Sequence, residues 1–517
     1  MTNLIRSLIT LSAIAQCVFL YLFVLRNSPG LSSPLAFSII AIAYGTLFIA
    51  LCYVVVKTSG SRQKADGGSV LVSRILMIPL SGIIVLVFVD ATVTDYYQPL
   101  SLYDDAIAAL AVSWASLVLA ALSIATRGAQ NSLEMLRSSI ALIVLALLGW
   151  PLAASLTFIN QPAFGADTTD VRHIFVGGQH GYDIYRIPAL LFLPAGSALA
   201  SGETLSSGRL IAFAEARRDG SLDTGVIDLV MRHSDDDGKS WSEQQLVCRH
   251  ETEKGRGKCG NATPVFDADA GNIILAYNLS GVEQSDQVDQ AGVFHTGNVI
   301  FSGDAGATWT DPIQVTDDNF VFGPGHGIQK RLAPATGRLL LPGYLSRHAM
   351  VLFSDDNGAT WHRSAPLDTG NETELAELGD GALYMTTRHR ASIGRPPQPN
   401  GRLYSRSVDG GKHWTNTQTQ TDLPTPVCQA SVLAYESKLL LFSNPSHPKS
   451  RVNMEIKLSD DGGSSWPGTI PVFSGPSGYS QLAQNEAGAV FVLFENGVMS
   501  YSERITLVRV PAAAIPL

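Results

Sequence analysis

The chain has 517 residues, of which 46% are hydrophobic and 16% charged, and its formal net charge is -9 at pH 7. Its basic residues form no block or stripe, which argues against nucleic acid as the main partner and means that an anionic ligand would need a local cluster of arginines. The length calls for at least two structural units, and composition separates them: Leu, Ile, Val and Ala dominate up to about residue 160, whereas Gly, Asp, Ser and Pro punctuate short apolar runs beyond it.

Five apolar runs are long enough to cross a bilayer as helices of about 20 residues each: Leu4 to Leu25, Leu35 to Val56, Val70 to Val93, Ala106 to Thr126 and Ser139 to Phe158. The first also has a signal-peptide reading, since Ala13-Ile14-Ala15 loosely mimics a cleavage site, but that triplet lies inside the apolar run and four more spans follow. Basic residues sit in the loop with Lys57, Arg62, Lys64 and Arg74 and in the loop with Arg127 and Arg137, while Asp95, Asp104 and Asp105 mark the loop between them. Translocated short loops are poor in Lys and Arg, so this pattern predicts a cytoplasmic N terminus and an external carboxy-terminal part. Arg26 is the one discordant charge, and Asp90 is read as a span-end residue. The expected plan is a membrane domain at 1–160, a linker at 161–170 and a soluble domain at 171–517.

Cysteine usage leaves one question open. Cys17 and Cys52 fall in apolar runs, Cys428 stands alone, and Cys248 and Cys259 flank a short charged loop where a disulfide depends on an oxidising compartment. No CxxC pair or His-Cys cluster has metal-ligand spacing, so neither a metal nor another cofactor is expected.

Beyond the linker one octapeptide, Ser-x-Asp-x-Gly-x-x-Trp, occurs five times: Ser234 to Trp241, Ser302 to Trp309, Ser354 to Trp361, Ser407 to Trp414 and Ser459 to Trp466. The copies start 68, 52, 53 and 52 residues apart, about the length of a four-stranded sheet with its turns. Strand-like runs such as Ile227 to Arg232, Ala349 to Phe353 and Met454 to Leu458 precede them. The Asp can accept turn amides, the Gly supplies a positive φ, and the Trp buries a large ring beside the neighbouring sheet. Roughly 345 residues at about 55 per unit predict an all-β, six-bladed β-propeller. The repeated aspartates are read as scaffold, because radial repetition scatters them around a rim.

Tyr185-Arg186-Ile187-Pro188, ahead of the first box, is where the chain resembles the sialidases (neuraminidases), of the bacterial exo-alpha-sialidase type. In that family the arginine of such a motif holds the substrate carboxylate and the repeats lie on a six-bladed propeller. The resemblance implies Arg186, Arg388 and Arg451 as the carboxylate-binding arginines, with Arg388 after the Glu-rich stretch Asn371 to Leu378 and Arg451 just ahead of the last box. It selects Glu372 over Glu374 or Glu377 as catalytic base, Tyr479 of Ser477-Gly478-Tyr479-Ser480 as nucleophile, and Asp223 over Asp219 as acid/base. It further implies that Glu495 steadies Arg186, and that Arg217 of Ala214-Glu215-Ala216-Arg217 contacts the sugar beyond its carboxylate. One departure is visible: Thr386 stands where an Asn is usual, two positions before the second arginine, and local repacking is expected there. His326 reads as a turn residue near the site, and Asn261, Asn278 and Asn371 match glycosylation sequons by pattern.

The physics of these types is coherent. Guanidinium forks match a carboxylate with charge-assisted hydrogen bonds. The carboxylate of sialic acid sits on the anomeric carbon, so a carboxylate nucleophile would be repelled where a neutral phenol is not; sialidases are a known exception to the two-carboxylate scheme. The expected activity is retaining hydrolysis of terminal alpha-linked sialic acid from glycoproteins, glycolipids or oligosaccharides through a tyrosyl intermediate, outside a bacterial cytoplasmic membrane in the periplasm or beyond. The alternatives are a trans-sialidase, or a non-catalytic sialoglycan-binding membrane receptor.

Overall fold

The computed structural model describes residues 162–516 apart from 221, 222, 224, 250, 253, 254, 282–293, 390–398, 437, 438 and 499. The chain divides into two compact units, Met1–Gln161 and Pro162–Leu517. The five apolar runs, Asp90, Cys17 and Cys52 lie outside the described residues. Among the described residues no helix is long and apolar enough to cross a membrane, and the helical structure is one short turn, Ala512–Ala514.

The second unit is built of antiparallel meanders. One sheet of seven strands runs in the order Thr169–Val176, Arg504–Val510, Val490–Asn496, Gly468–Gln484, Val452–Ser459, Leu439–Pro445, Ser431–Tyr435. The first described strand therefore pairs with the last, from Thr169 opposite Arg509 to Val176 opposite Arg504, and the two ends of the unit hold each other. A sheet of eight strands covers Ile184–Leu193 to Ile313–Thr316, and sheets of five and four strands cover Phe320–Phe322 to His362–Arg363 and Thr373–Glu377 to Gln418–Gln420. The strand pattern is hydrophobic in long stretches because both faces are covered; Arg209–Arg217, for example, is buried along eight of its nine residues.

Each octapeptide is the turn after such a strand, and its Ser is the last residue of the strand: Ile227–Ser234, Phe294–Ser302, His348–Ser354, Arg402–Ser407 and Val452–Ser459. In the first copy Asp236 accepts the Ser234 hydroxyl at 2.8 Å, the Ser240 amide at 2.9 Å and the Ser240 hydroxyl at 2.6 Å, while Gly238, at φ +81°, donates its amide to Ser234 Oγ. The same bond to the second carboxylate oxygen comes from Thr308, Thr360 and Ser465, and in the fourth box from His413 Nδ1. Position seven of the box is thus also specified, as a short hydroxyl or an imidazole, which an identity pattern hides. Trp rings pack onto the preceding run of strands: Trp309 lies edge-on to Phe213 at 6.2 Å and Trp466 edge-on to Tyr384 at 6.1 Å.

Cys248 and Cys259 are joined by a disulfide, and Cys428 is free and buried. Asn278, one of the three sequons, is fully buried, donating to the Phe320 carbonyl and accepting the Phe322 amide. It has no face to offer a glycan.

Candidate active site

Of the residues that carry the resemblance, Arg186, Arg217, Tyr479 and Glu495 lie in strands and Asp223, Glu372, Arg388 and Arg451 lie between strands, and most converge on one phenol. Tyr479 lies in the long strand Gly468–Gln484, is nearly buried, and donates its hydroxyl to Glu372 Oε1 in a very short hydrogen bond. Arg388 Nη1 bridges the pair, 2.5 Å from Glu372 Oε2 and 3.0 Å from the Tyr479 hydroxyl oxygen. The guanidinium carbons of Arg186 and Arg451 lie over the Tyr479 ring, at 5.2 and 5.3 Å from its centre. Burial and the Glu372 charge push the phenol well above its usual value, against the three arginines, so Tyr479 is a neutral hydroxyl at physiological pH.

Glu495 is the fixed point of the arrangement. Fully buried at the end of Val490–Asn496, it accepts Arg186 Nε at 3.0 Å, Arg186 Nη2 at 3.2 Å, the Ile187 amide at 2.9 Å and the Tyr479 amide at 3.0 Å. One carboxylate thereby registers the first arginine against the backbone of the tyrosine. Ile187 sits at φ +57° in a bulge of the strand Ile184–Leu193, which turns its amide toward Glu495.

The three candidate glutamates of the Glu-rich stretch go to three places. Glu372 reaches Tyr479; Glu374, fully buried, accepts the His326 amide at 3.0 Å and lies 2.9 Å from His326 Nδ1; Glu377 pairs with Lys330 at 2.5 Å. Gly325 is required beside Glu374, because a Cβ there would come within 1.4 Å of its Oε1. His326, placed by sequence near the site, belongs to this deeper layer, where burial lowers its imidazole pKa and Glu374 raises it by more.

Asp223 stands apart from the phenol. Its side chain is 72% open to water and pairs with Arg217 at 2.8 Å, with Arg186 at 3.9 Å. The surrounding protein mass works to raise its carboxyl pKa, and Arg217, Lys258 and Arg186 outweigh it and hold the carboxyl well below the usual range, an effect that solvent screens on the open side. Arg217 itself is buried, with Nη2 2.6 Å from Glu215.

Three partners of the site are not among the residues that the resemblance implies. Tyr501 stacks beneath the guanidinium groups of Arg186 and Arg451, at 5.4 and 5.0 Å. Arg402, fully buried, donates Nε to Thr386 Oγ1 at 3.0 Å, Nη1 to the Cys428 carbonyl at 2.6 Å and Nη2 to the Glu372 carbonyl at 3.3 Å, and burial brings its pKa down to about 10. The Thr386 hydroxyl thus serves a buried arginine behind Glu372. Glu215, fully buried against Arg217, is the third.

Residues 208–492 match the family described as BNR repeat-like domain. The chain belongs to that family. Among curated relatives, it is 28% identical to the "Sialidase" of Micromonospora viridifaciens over 365 residues, which is 65% of this chain and 53% of that one. It is 27% identical to the "Sialidase" of Bacteroides fragilis (strain YCH46), covering 62% of each chain, and 26% identical to the "Sialidase-3" of Homo sapiens, covering 62% of this chain and 87% of that one. It spans about half to three-fifths of the length of the first two. Among solved structures, "Hadza microbial sialidase Hz136" superposes with a TM-score of 0.55 at 26% identity, covering 67% of this chain and 69% of that one. A leech intramolecular trans-sialidase does so at 0.53 and 19% identity, covering 68% and 71%, a likeness of fold.

Proposed function

We propose that the chain is an exo-alpha-sialidase, a glycoside hydrolase that removes terminal alpha-linked sialic acid from glycoproteins, glycolipids or oligosaccharides. The observation that carries this reading is the Tyr479 hydroxyl held by Glu372 with Arg388, Arg186 and Arg451 gathered around it. A carboxylate on the reacting carbon would meet the three guanidinium groups beside the phenol, which is the geometry a tyrosine nucleophile needs. In the first half-reaction Glu372 takes the proton of Tyr479 as its oxygen bonds to the anomeric carbon. The bond from that carbon to the departing glycan oxygen breaks, and Asp223 protonates that oxygen. In the second, Asp223 takes a proton from water, water oxygen bonds to the anomeric carbon, and Tyr479 leaves with the proton returned by Glu372. Two inversions at one carbon give net retention. Since Asp223 is ionised and open in the free protein, the arriving glycan must cover it; loss of water raises a carboxyl's proton affinity.

The six-bladed reading of the fold is supported by strand pairing. The eight-stranded sheet is two meanders joined by a single parallel bridge, Ile227 opposite Lys258. The seven-stranded sheet is two meanders sharing Gly468–Gln484, whose first half pairs with Val452–Ser459 and whose second pairs with Val490–Asn496. With one meander in each remaining large sheet, the count is six. Residues 1–160 are proposed as the membrane anchor on the strength of their five apolar runs, with the domain at 171–517 outside; protease protection of intact and opened cells tests that placement.

The test of the activity is cleavage of a fluorogenic sialoside by the full chain and by Tyr479→Phe. Free sialic acid from the first and a loss of at least about a thousandfold in the second are expected. Equal rates would sink the proposal, and transfer to added lactose in place of release would favour a trans-sialidase.

A further inference from the structure

Asp223 is tied to the protein interior through a chain of charges to which the proposed reaction steps assign no part. Glu215 is the penultimate-but-one residue of Arg209–Arg217, shares that strand's face with Arg217, and is fully buried. Its Oε2 lies 2.6 Å from Arg217 Nη2, and its Oε1 accepts the Asn261 amide at 3.0 Å and lies 3.4 Å from Lys258 Nζ. The other end of the same guanidinium, Arg217 Nη1, lies 2.8 Å from Asp223 Oδ1. One arginine fork is therefore held at its inner end by a buried carboxylate and presents its outer end to an exposed one. Gly260 permits this, because a Cβ at that position would come within 2.4 Å of Glu215 Oε1. Lys258 is next to Cys259, whose disulfide to Cys248 anchors the strand that carries it.

We propose that Glu215 is a positioning residue for the acid/base carboxylate: it locks the orientation of Arg217 and, with Lys258, sets the charge balance under Asp223 that decides when Asp223 holds a proton. The inference rests on the sialidase reading above. The charged groups facing Asp223 are Arg217, Lys258, Arg186 and Glu215, and the first three are cationic. With Glu215 ionised, one of those charges is answered close by. Without it, Arg217 and Lys258 act on Asp223 uncompensated, the proton leaves more readily, and a poor leaving group departs without its acid. Removing Lys258 has the opposite sign. A purely structural role for either residue predicts no such opposition, since loss of packing slows every substrate alike.

The experiment uses the full chain, its Glu215→Gln and Lys258→Met variants, and two sialosides: 3'-sialyllactose, whose leaving group needs a proton, and an aryl sialoside, whose leaving group does not. On sialyllactose the rate falls as pH rises through the Asp223 value. The expected result is that this limb moves to lower pH in Glu215→Gln and to higher pH in Lys258→Met, with about a tenfold rate change per pH unit on the falling side. The aryl sialoside is expected to lose several-fold less than sialyllactose in Glu215→Gln. A limb that stays in place in both variants, movement of both in one direction, or equal losses on the two substrates overturns the proposal. If Glu215→Gln does not fold, an unmoved or downward-shifted limb in Lys258→Met overturns it alone. Failure of the unsubstituted chain to cleave either sialoside is a failure of the sialidase reading, and is scored before the variants are compared.

Discussion

Glu495→Gln is the substitution with the largest calculable consequence. The carboxylate is fully buried and answers four donors: two nitrogens of Arg186 and the amides of Ile187 and Tyr479. Gln has nearly the same shape, so packing is kept, but one oxygen becomes an NH2 that faces two donors and accepts from neither. Arg186, also buried, loses its full countercharge at the same time. A stranded buried donor costs about 1–3 kcal/mol, and breaking a buried ion pair from one side costs about 3–5 kcal/mol. Because the amide still supplies one acceptor, we expect about 3 kcal/mol of lost stability, read as a lower denaturation midpoint at unchanged slope. Activity should suffer separately, since Arg186 and the Tyr479 backbone lose their common reference. A displacement of about 1 Å at a reacting group costs on the order of a hundredfold, so kcat/KM on a fluorogenic sialoside should drop by about that much in protein that is still folded at assay temperature. A variant that keeps full kcat/KM with less than about 1 kcal/mol of destabilisation would show that Glu495 does not organise the site.

Three further outcomes follow from the same geometry. Thr386→Val removes the acceptor of Arg402 Nε and should cost about 1–3 kcal/mol in denaturant unfolding, whereas Thr386→Asn, the residue usual in sialidases, keeps an acceptor and should cost less. The box aspartates Asp236, Asp409 and Asp461 have carboxyl pKa values of about 2 against an ordinary 3.8: partial burial works upward, and the Ser, His and amide donors of each turn outweigh it. A carboxyl depressed in the folded state contributes stability above its ordinary value and loses it as pH falls through the folded one, so the denaturation midpoint should drop between about pH 4 and pH 2. The triple Asp→Asn variant should flatten that dependence at little cost in activity. Reducing the Cys248–Cys259 disulfide, which closes a separation of 11 residues, should lower stability by about 2–3 kcal/mol; an unchanged midpoint in reductant contradicts a formed bond.

Repetition made the scaffold legible, and the resemblance carried by the motifs led to the candidate site. Five boxes in near-constant register define where strands end, because the box Ser is itself the last strand residue. What periodicity alone could not separate is Glu372 from Glu374. Two residues apart, they share one side of the chain, and only the neighbours differ: Tyr479 and Arg388 for the first, His326 for the second. Glu372 stood out because the resemblance to the sialidases implies the glutamate that heads the stretch. Arg402 stayed hidden for a physical reason. An arginine at the head of a polar strand reads as a solvated charge, and its burial follows from partners in distant loops, the Cys428 carbonyl and the Glu372 carbonyl, that no local pattern connects. Tyr501 is similar, since its value lies in facing two arginines that arrive from residues 186 and 451.

The three arginines are not equivalent, and their differences say how an anion would be held. Arg186 already has Glu495, and Arg388 already has Glu372. Among the described residues Arg451 has no carboxylate partner; it is buried, donates Nη2 to the Val427 carbonyl at 3.4 Å, and faces the rings of Tyr479 and Tyr501 at 5.3 and 5.0 Å. A ring face stabilises a desolvated guanidinium by about 2 kcal/mol or somewhat more, short of an ion pair's attraction in the same surroundings. The cost of burying Arg451 is therefore borne by the fold before any ligand arrives, and an incoming carboxylate supplies the anion it lacks without first stripping water from it. Because the guanidinium carbons of Arg451 and Arg186 both lie over the Tyr479 ring, 5.3 and 5.2 Å from its centre, a ligand that completes Arg451 is brought beside the proposed nucleophile by the same contact.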